Sequence, residues 1–563
     1  VSVQGLAALR PLNAAEEKVV AELQSGNFDR LGDGLRPDWD DPERAVRAEL
    51  LRFLILGGEE GCRPHEKGVR VSGAWVAGVL DLEGCRIPRD IGFKDCRFDA
   101  VPVLRSAIID TLFLDGSTLP GLQADRLEAR GGLYLRGAVV TGEIRLQGAR
   151  LGGHLECDGA IIQWPDGIAL NANGLEARGG VHLRGAVVRG GVSLPAARLG
   201  ADFDCIGARI GRPGSVAIDG DNIEARGDLT FRGAAITGEI RLQGVRAGGD
   251  LDCTGTALSQ PEGDALKLNR AIIEGAFFLR QGATVSGVLN MTAASFGAID
   301  DDKACWPPKG DLLLNRCLYG AFIGGPVDAD TRLDWLARQE PERWNEDFWP
   351  QPYEQLSTVF REMGHNEDAR AVLIAKERLQ RRARRARMHN TLLRGLLAAK
   401  DGLLGITVLY GRQPLVAFLW LAVFWALGVV VFNVAESEGA LKPNSPVVLR
   451  SPEWTLCALE QTERQFMPAT GQFAYGRAEK GQTQLSCFHA QPEAASYPEF
   501  NAWMYSLDTL LPVLEIGQMQ YWRPDPSKPG GPLALNYFYF QTIVGWALSL
   551  LAVAGFSGIV KSR

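Results

Sequence analysis

A repeat 48 residues long constrains this chain more than any other feature. LEARGGLYLRGAVVTG starts at Leu127, LEARGGVHLRGAVVRG at Leu175 and IEARGDLTFRGAAITG at Ile223, each 48 residues after the last. Cys157, Cys205 and Cys253 keep the same spacing, and inside it Gly137-Ala138, Gly148-Ala149 and Gly159-Ala160 recur every 11 residues. Between these glycines lie short alternating segments such as Tyr134-Leu135-Arg136 and Ile144-Arg145-Leu146. A unit this short buries its apolar face only by stacking on its neighbours. Residues 67–325 are therefore expected to form a parallel β-helix, or β-solenoid. Leu, Ile, Val, Cys and Ala point inward, and Arg, Glu and Gln point outward. Glycine is abundant, 66 of 563 residues, without a collagen period, which suits a turn-rich coil. The recurring cysteines read as a core stack, because no C-x-x-C pair and no His or carboxylate at ligand spacing accompanies them. His154 and His182 fall on repeat strands as outward, solvated residues. Gly131-Gly132 and Gly152-Gly153 follow the beat and read as turns, not phosphate loops.

A solenoid exposes its ends and needs caps. Residues 1–66 read as a helical cap. Asn13 with Glu16 has capping-box spacing before AAEEKVVAELQ, with Gly26 as its end. Asp41-Pro42 opens a second helix, ERAVRAELLRFLIL, stopped at Gly57. At the other end, residues 326–411 read as a helical hairpin and a basic amphipathic neck. PYEQLSTVFREMGHNEDARAVLIAKERLQRRARR forms two amphipathic helices about Gly364, and that stretch alone resembles a single tetratricopeptide-type hairpin.

The last third differs. Pro414 to Val434 holds 21 residues without a charge, and Asn536 to Lys561 is uncharged until its last residue. About 20 apolar residues cross the hydrocarbon core of a bilayer. Ten of the 13 tryptophans lie after residue 300, as expected near membrane interfaces. Arg381, Arg382, Arg384, Arg385 and Arg387 precede the first run, and Lys561 and Arg563 follow the second. The positive-inside rule then places both flanks in the cytoplasm, and no apolar signal segment precedes them. The expectation is a multi-pass protein of the bacterial cytoplasmic (inner) membrane. Residues 1 to about 400 would be cytoplasmic, and 435 to 534 outside except for a re-entrant part. Eight cysteines then lie in a reducing compartment, and Cys457 and Cys487 outside it are expected to form a disulfide. The basic run beside a span points to anionic membrane lipid as its partner. The net charge of −7 argues against nucleic acid.

Between the runs comes FNAWMYSLDTLLPVLEIGQMQYWRP. Asn501 can cap a short helix to about Leu511, and Pro512 ends it. Tyr505-Ser506-Leu507-Asp508-Thr509 resembles the W-S-V-E-T pore-helix motif of two-span potassium channels, and Gly517-Gln518 through Pro524 resembles the G-D-x-x-P exit of their filter. The likeness to the two-span pore-loop cation channel superfamily covers residues 412–563, the expected transmembrane pore domain. It implies two transmembrane helices, a re-entrant pore helix carrying Ser506, Asp508 and Thr509, and assembly as a homotetramer. T-V-G-Y-G is absent. Val513, Leu514, Glu515, Ile516 and Gly517 stand where the selectivity filter would be, which puts potassium selection by stacked carbonyls in doubt. A glutamate there is similar to the acidic rings of sodium and calcium channels, and four copies of Glu515 would attract cations. Asp508 is expected behind the filter as a hydrogen-bonding strut. Gly555 and Gly558 bracket Phe556 and Ile559, the expected apolar gate. Read without the resemblance, YSLDTLL also suits an interfacial helix lying flat on the outer leaflet.

The chain as a whole is thus expected to be multidomain: a helical cap, a β-helix, a helical neck and two membrane helices around a pore helix. The leading expectation is a tetrameric channel for monovalent or divalent cations, with the solenoid as a cytoplasmic regulatory domain. The alternative is a non-conducting membrane-anchored scaffold whose solenoid docks a partner. An enzyme is not expected. The six histidines form no H-x-x-x-H or H-E-x-x-H pattern, and no Rossmann or Walker fingerprint, metal site or cofactor site is legible. The solenoid faces carry no ligand motif.

Overall fold

The computed structural model describes residues 5–38, 41–388, 390–408, 415–468, 470–511 and 513–556, without the side chains of 403–408, 555 and 556. It divides into two compact units, Val1–Lys376 and Glu377–Arg563.

The first unit holds a parallel β-solenoid of about 12 turns. A coil of the repeat has four two-residue strands, as in Glu128–Ala129, Leu133–Tyr134, Val139–Val140 and Ile144–Arg145. In each, one residue is buried and the other faces outward. Glycine holds the turns because they need positive φ: Gly137 is at 64° and Gly148 at 63°.

Strand register explains the 48-residue period. Glu128 pairs with Arg150 and Arg150 with Glu176, steps of 22 and 26 residues. One sequence repeat is therefore two coils. The longer coil carries its extra residues in the 11-residue strands Ile161–Asn171, Arg209–Asp219 and Ala257–Lys267, each with a central proline. The following coil passes beneath through a glycine. A Cβ on Gly190 would lie 2.3 Å from the Trp164 carbonyl oxygen, and one on Gly287 2.1 Å from that of Gln260.

The same register corrects the cysteine stack. Cys157, Cys205 and Cys253 are fully buried, but Leu183 and Phe231 sit between them. Successive backbone bonds run Cys157 to His182, Leu183 to Asp204, Cys205 to Thr230 and Phe231 to Asp252. The thiols are two coils apart. Burial, with neighbouring carboxylates acting in the same direction, pushes such thiols up, that of Cys157 to about 12, so they stay protonated. The histidines are also corrected. His182 is 8% exposed, and its Nε2 lies 3.1 Å from Nδ1 of His154, which also accepts the Gly180 N–H at 3.0 Å.

Residues ahead of 67 are partly helical. Helix Ala14–Glu22 has the capping box of Asn13 and Glu16. The second helix is shorter than expected, Ala48–Ile55. Ala45–Arg47 is instead a strand paired with Trp75–Ala77, and Asp29–Arg30 pairs with Val71-Ser72, so sheet pairing begins before residue 67. After the last coil, helix Ala329–Leu336 brings Arg332 onto Asp301. Helices Gln351–Glu362 and Asn366–Ala386 flank Gly364.

In the second unit, Leu415–Ser437 and Gly531–Ala554 are long and apolar enough to cross a membrane. The second helix begins at Gly531, five residues ahead of the expected run, with Pro532 in its first turn, where the missing N–H costs nothing. Helix Thr391–Val408 precedes the first. Its Asp401 accepts from Arg381 at 2.9 Å and also pairs with Arg385, so the basic run is partly neutralised within the unit. A disulfide joins Cys457 to Cys487.

Candidate functional site

The segment between the two long helices is organised around helix Ala502–Leu510. Asn501 caps it, its side chain accepting the N–H groups of Trp503 at 3.0 Å and Met504 at 3.1 Å. The helix packs on the middle turns of both long helices. Ser506 Oγ donates to the Trp425 carbonyl at 2.9 Å. Gln541 Nε2, fully buried in the second long helix, donates to Ser506 Oγ at 2.9 Å and to the Ser506 carbonyl at 3.1 Å. Close approach depends on two glycines. A Cβ on Gly428 would lie 2.2 Å from Ser506 Oγ, and one on Gly545 1.8 Å from the Leu510 carbonyl. Tyr505 is buried against Phe432 and Phe500, with ring centroids 4.7 and 5.2 Å away.

Asp508 anchors the chain that follows. Its carboxylate is buried and accepts the Ile516 N–H at 3.0 Å and the Met519 N–H at 2.8 Å. Charge-assisted bonds of this kind are among the strong ones. Gly517 turns the backbone at φ 92°, and the residues beyond it are tied down on several sides. Gln518 accepts from the Asn501 N–H, Asn444 donates to the Met519 carbonyl at 3.2 Å, and Tyr497 donates to the Tyr521 carbonyl at 2.7 Å. Thr509 is spent inside the helix, its hydroxyl donating to the Tyr505 carbonyl at 2.7 Å.

The stretch before Gly517 is the opposite. Val513 is 82% exposed, and Leu514, Glu515 and Ile516 are exposed beside it. Three apolar side chains and one carboxylate thus project from a rigid base in the single chain. Of the remaining site residues expected from sequence, the Phe556 side chain, Ile559 and Pro512 lie outside the described residues.

Sequence reading missed Gln541 and the part played by Gly428. Gln541 was legible as the one amide inside the apolar run that Asn536 opens, and such residues face protein interiors. Gly428 carries no such signal, because glycine is common in membrane helices. Among the described residues, no cluster of three or more His, Cys, Asp or Glu side chains is arranged to hold a metal. No protein-family model and no curated protein sequence matches this chain.

Proposed function

We propose that the chain is the subunit of a tetrameric cation channel in which residues 513–517 line the narrow segment and Glu515 selects for cations. One observation carries this reading. Helix Ala502–Leu510 packs between the two long helices at their middle turns, through Ser506, Gln541 and Gly545. If those helices span a bilayer, the end of the short helix and the loop after it lie at membrane depth. Backbone polar groups at that depth must be buried in protein or line a water-filled cavity. One copy leaves Val513 to Ile516 exposed, and further copies around an axis would cover the apolar side chains and leave water at the loop. The same contacts disfavour a helix lying flat on the outer leaflet, whose Ser506 would face headgroups.

On this reading the bilayer is that of the bacterial cytoplasmic membrane, with the solenoid on the cytoplasmic side and the disulfide outside. Asp508 positions the loop without touching the ion. Four Glu515 carboxylates concentrate cations at the entrance and repel anions. The partial negative charge at the C-terminal ends of four short helices adds to the attraction.

The test is conductance of the purified full-length chain in planar bilayers. Wild-type protein should show cation-selective currents in a sodium chloride gradient. Glu515→Gln should shift the reversal potential towards zero, and Glu515→Asp should keep the selectivity sign. An unshifted reversal potential in Glu515→Gln removes Glu515 from the filter, and silence of the wild type removes the channel.

A further inference from the structure

The sides of the solenoid are unequally charged. On the side built from Glu128–Ala129 and its stacked equivalents, outward residues alternate from coil to coil as Glu128, Arg150, Glu176, Arg198, Glu224 and Arg246. Arg150 lies 3.5 Å from Glu128 and 3.4 Å from Glu176, and Arg198 lies 3.8 Å from Glu176 and 3.6 Å from Glu224. That column neutralises itself. The turn position beside it adds Arg130, Arg178 and Arg226 in alternate coils, all exposed. Arg130 reaches Asp110 at 3.4 Å with 76% of its side chain in solvent, and Arg178 and Arg226 have no ion pair among the described residues. This side therefore carries an excess of three positive charges over six coils.

The adjoining side, built from Leu133–Tyr134 and its equivalents, has the opposite excess. Asp202, Asp228 and Asp250 stack along it, each accepting an N–H from the next coil, at 2.9, 2.8 and 2.7 Å. Glu156, Asp158, Asp204 and Asp252 add to them, against only Arg136, Arg184 and Arg232. Between the two sides runs a corner of glycines. Gly131, Gly153, Gly179, Gly227 and Gly249 share one column there with Ala201, and a Cβ on Gly153 would lie 2.9 Å from the Gly132 nitrogen, so no side chain larger than a methyl stands in that column between the two sides.

We infer that the arginine side of one copy docks on the aspartate side of the next, so that four solenoids close a ring about their glycine corners. This rests on the four-copy assembly proposed above. A closed ring repeats one heterologous contact, whose two surfaces differ and must be complementary. Four four-sided columns around an axis each offer two adjacent sides to their two neighbours, and here the adjacent pair carries opposite charge. Both patterns run along the column axis. The arginines recur every second coil, about 10 Å apart, against acids in the coils of Glu156, Asp204, Asp228 and Asp252, the coils of Tyr134 and His182 carrying none. A nucleic acid or a lipid surface would use the arginine side alone and leave the aspartate side unpartnered.

The test uses the full chain in detergent or nanodiscs, with Arg130→Lys, Arg178→Lys and Arg226→Lys combined, so that a zero-length carbodiimide can join the new amines to carboxylates in contact. Covalent dimers to tetramers are expected on denaturing gels. Mapped peptides should link residue 178 to the 156–158 or 202–204 segment, and the product should be lost in Arg178→Gln and in about 1 M salt, where screening is nearly complete. A tetramer by mass photometry that yields no such link overturns the docking and leaves the channel assembly standing. A monomer overturns the assembly and the docking with it. Protection of the lysines by anionic-lipid nanodiscs, with no chain-to-chain link, assigns the side to lipid and also overturns the docking.

Discussion

Asp301 and Arg332 form a buried pair where helix Ala329–Leu336 meets the last coils, and the structure sets what breaking it should cost. Arg332 is 0% exposed and Asp301 is 2% exposed. The guanidinium donates twice to the carboxylate, at 2.8 and 2.6 Å, and once to the Pro326 carbonyl at 2.8 Å. Trp306 Nε1–H donates to the same carboxylate at 2.7 Å, and the guanidinium lies 3.7 Å from the centre of the Phe322 ring. Asp301→Asn keeps the shape but leaves a buried cation facing an amide. Removing one partner of such a pair costs about 3–5 kcal/mol. Arg332→Met should cost about the same, since it strands the carboxylate with Trp306 alone. Replacing both, as Asp301→Leu with Arg332→Met, leaves no uncompensated charge. It orphans the Trp306 N–H and the Pro326 carbonyl, at about 1–3 kcal/mol each, so the double variant should cost about as much as one single variant and well short of the sum of both. A stacked solenoid does not unfold in one step. The assay is therefore hydrogen exchange of peptides covering 295–324 and 329–336. At about 1.4 kcal/mol per decade, each single variant should lose roughly two to four decades of protection there, with coils near Glu128 unchanged. Losses below tenfold, or a double variant with the summed losses of both singles, would refute the reasoning.

Other outcomes follow from the same geometry. Burial lowers the pKa of His182 below its ordinary 6.5, with Arg184 and His154 acting in the same direction against Asp158 and Asp204. The unfolded chain then binds more protons, so solenoid stability should hold above about pH 6.5 and fall as pH drops below it; His182→Gln should flatten that slope in hydrogen exchange. Native protein should leave Cys157, Cys205 and Cys253 unlabelled by iodoacetamide, because burial keeps the thiols protonated, and labelling within minutes at pH 8 would contradict the core placement. Gly545→Ala would put a Cβ 1.8 Å from the Leu510 carbonyl, so helix Ala502–Leu510 must shift; currents should be lost, and exchange at 502–511 should quicken in the same variant. Asp508→Ala strands the Ile516 and Met519 N–H groups and should cost about 3–6 kcal/mol locally. Asp508→Ala should also change ion selectivity while Glu515 is still in place, and unchanged reversal potentials would release Asp508 from its positioning part.

The repeat, the beat of Gly-Ala pairs and the two uncharged runs were enough to determine a parallel solenoid and two membrane-length helices. Periodicity and apolar length are local properties that no distant contact rewrites. The capping box of Asn13 and Glu16 was legible for the same reason. Register was not local. That one repeat is two coils of unequal length follows from which strand lies above which, and only that places Leu183 and Phe231 between the cysteines and buries His182. Ala45–Arg47 has a helical pattern, yet pairing with Trp75–Ala77 satisfies its backbone as a strand, and tertiary pairing overrides a short segment's propensity. Ser506, Gln541 and Gly428 lie far apart in the chain, and Asp508 finds its two N–H donors only after the chain turns at Gly517. Their meeting is a matter of packed distance, which the tertiary structure alone decides.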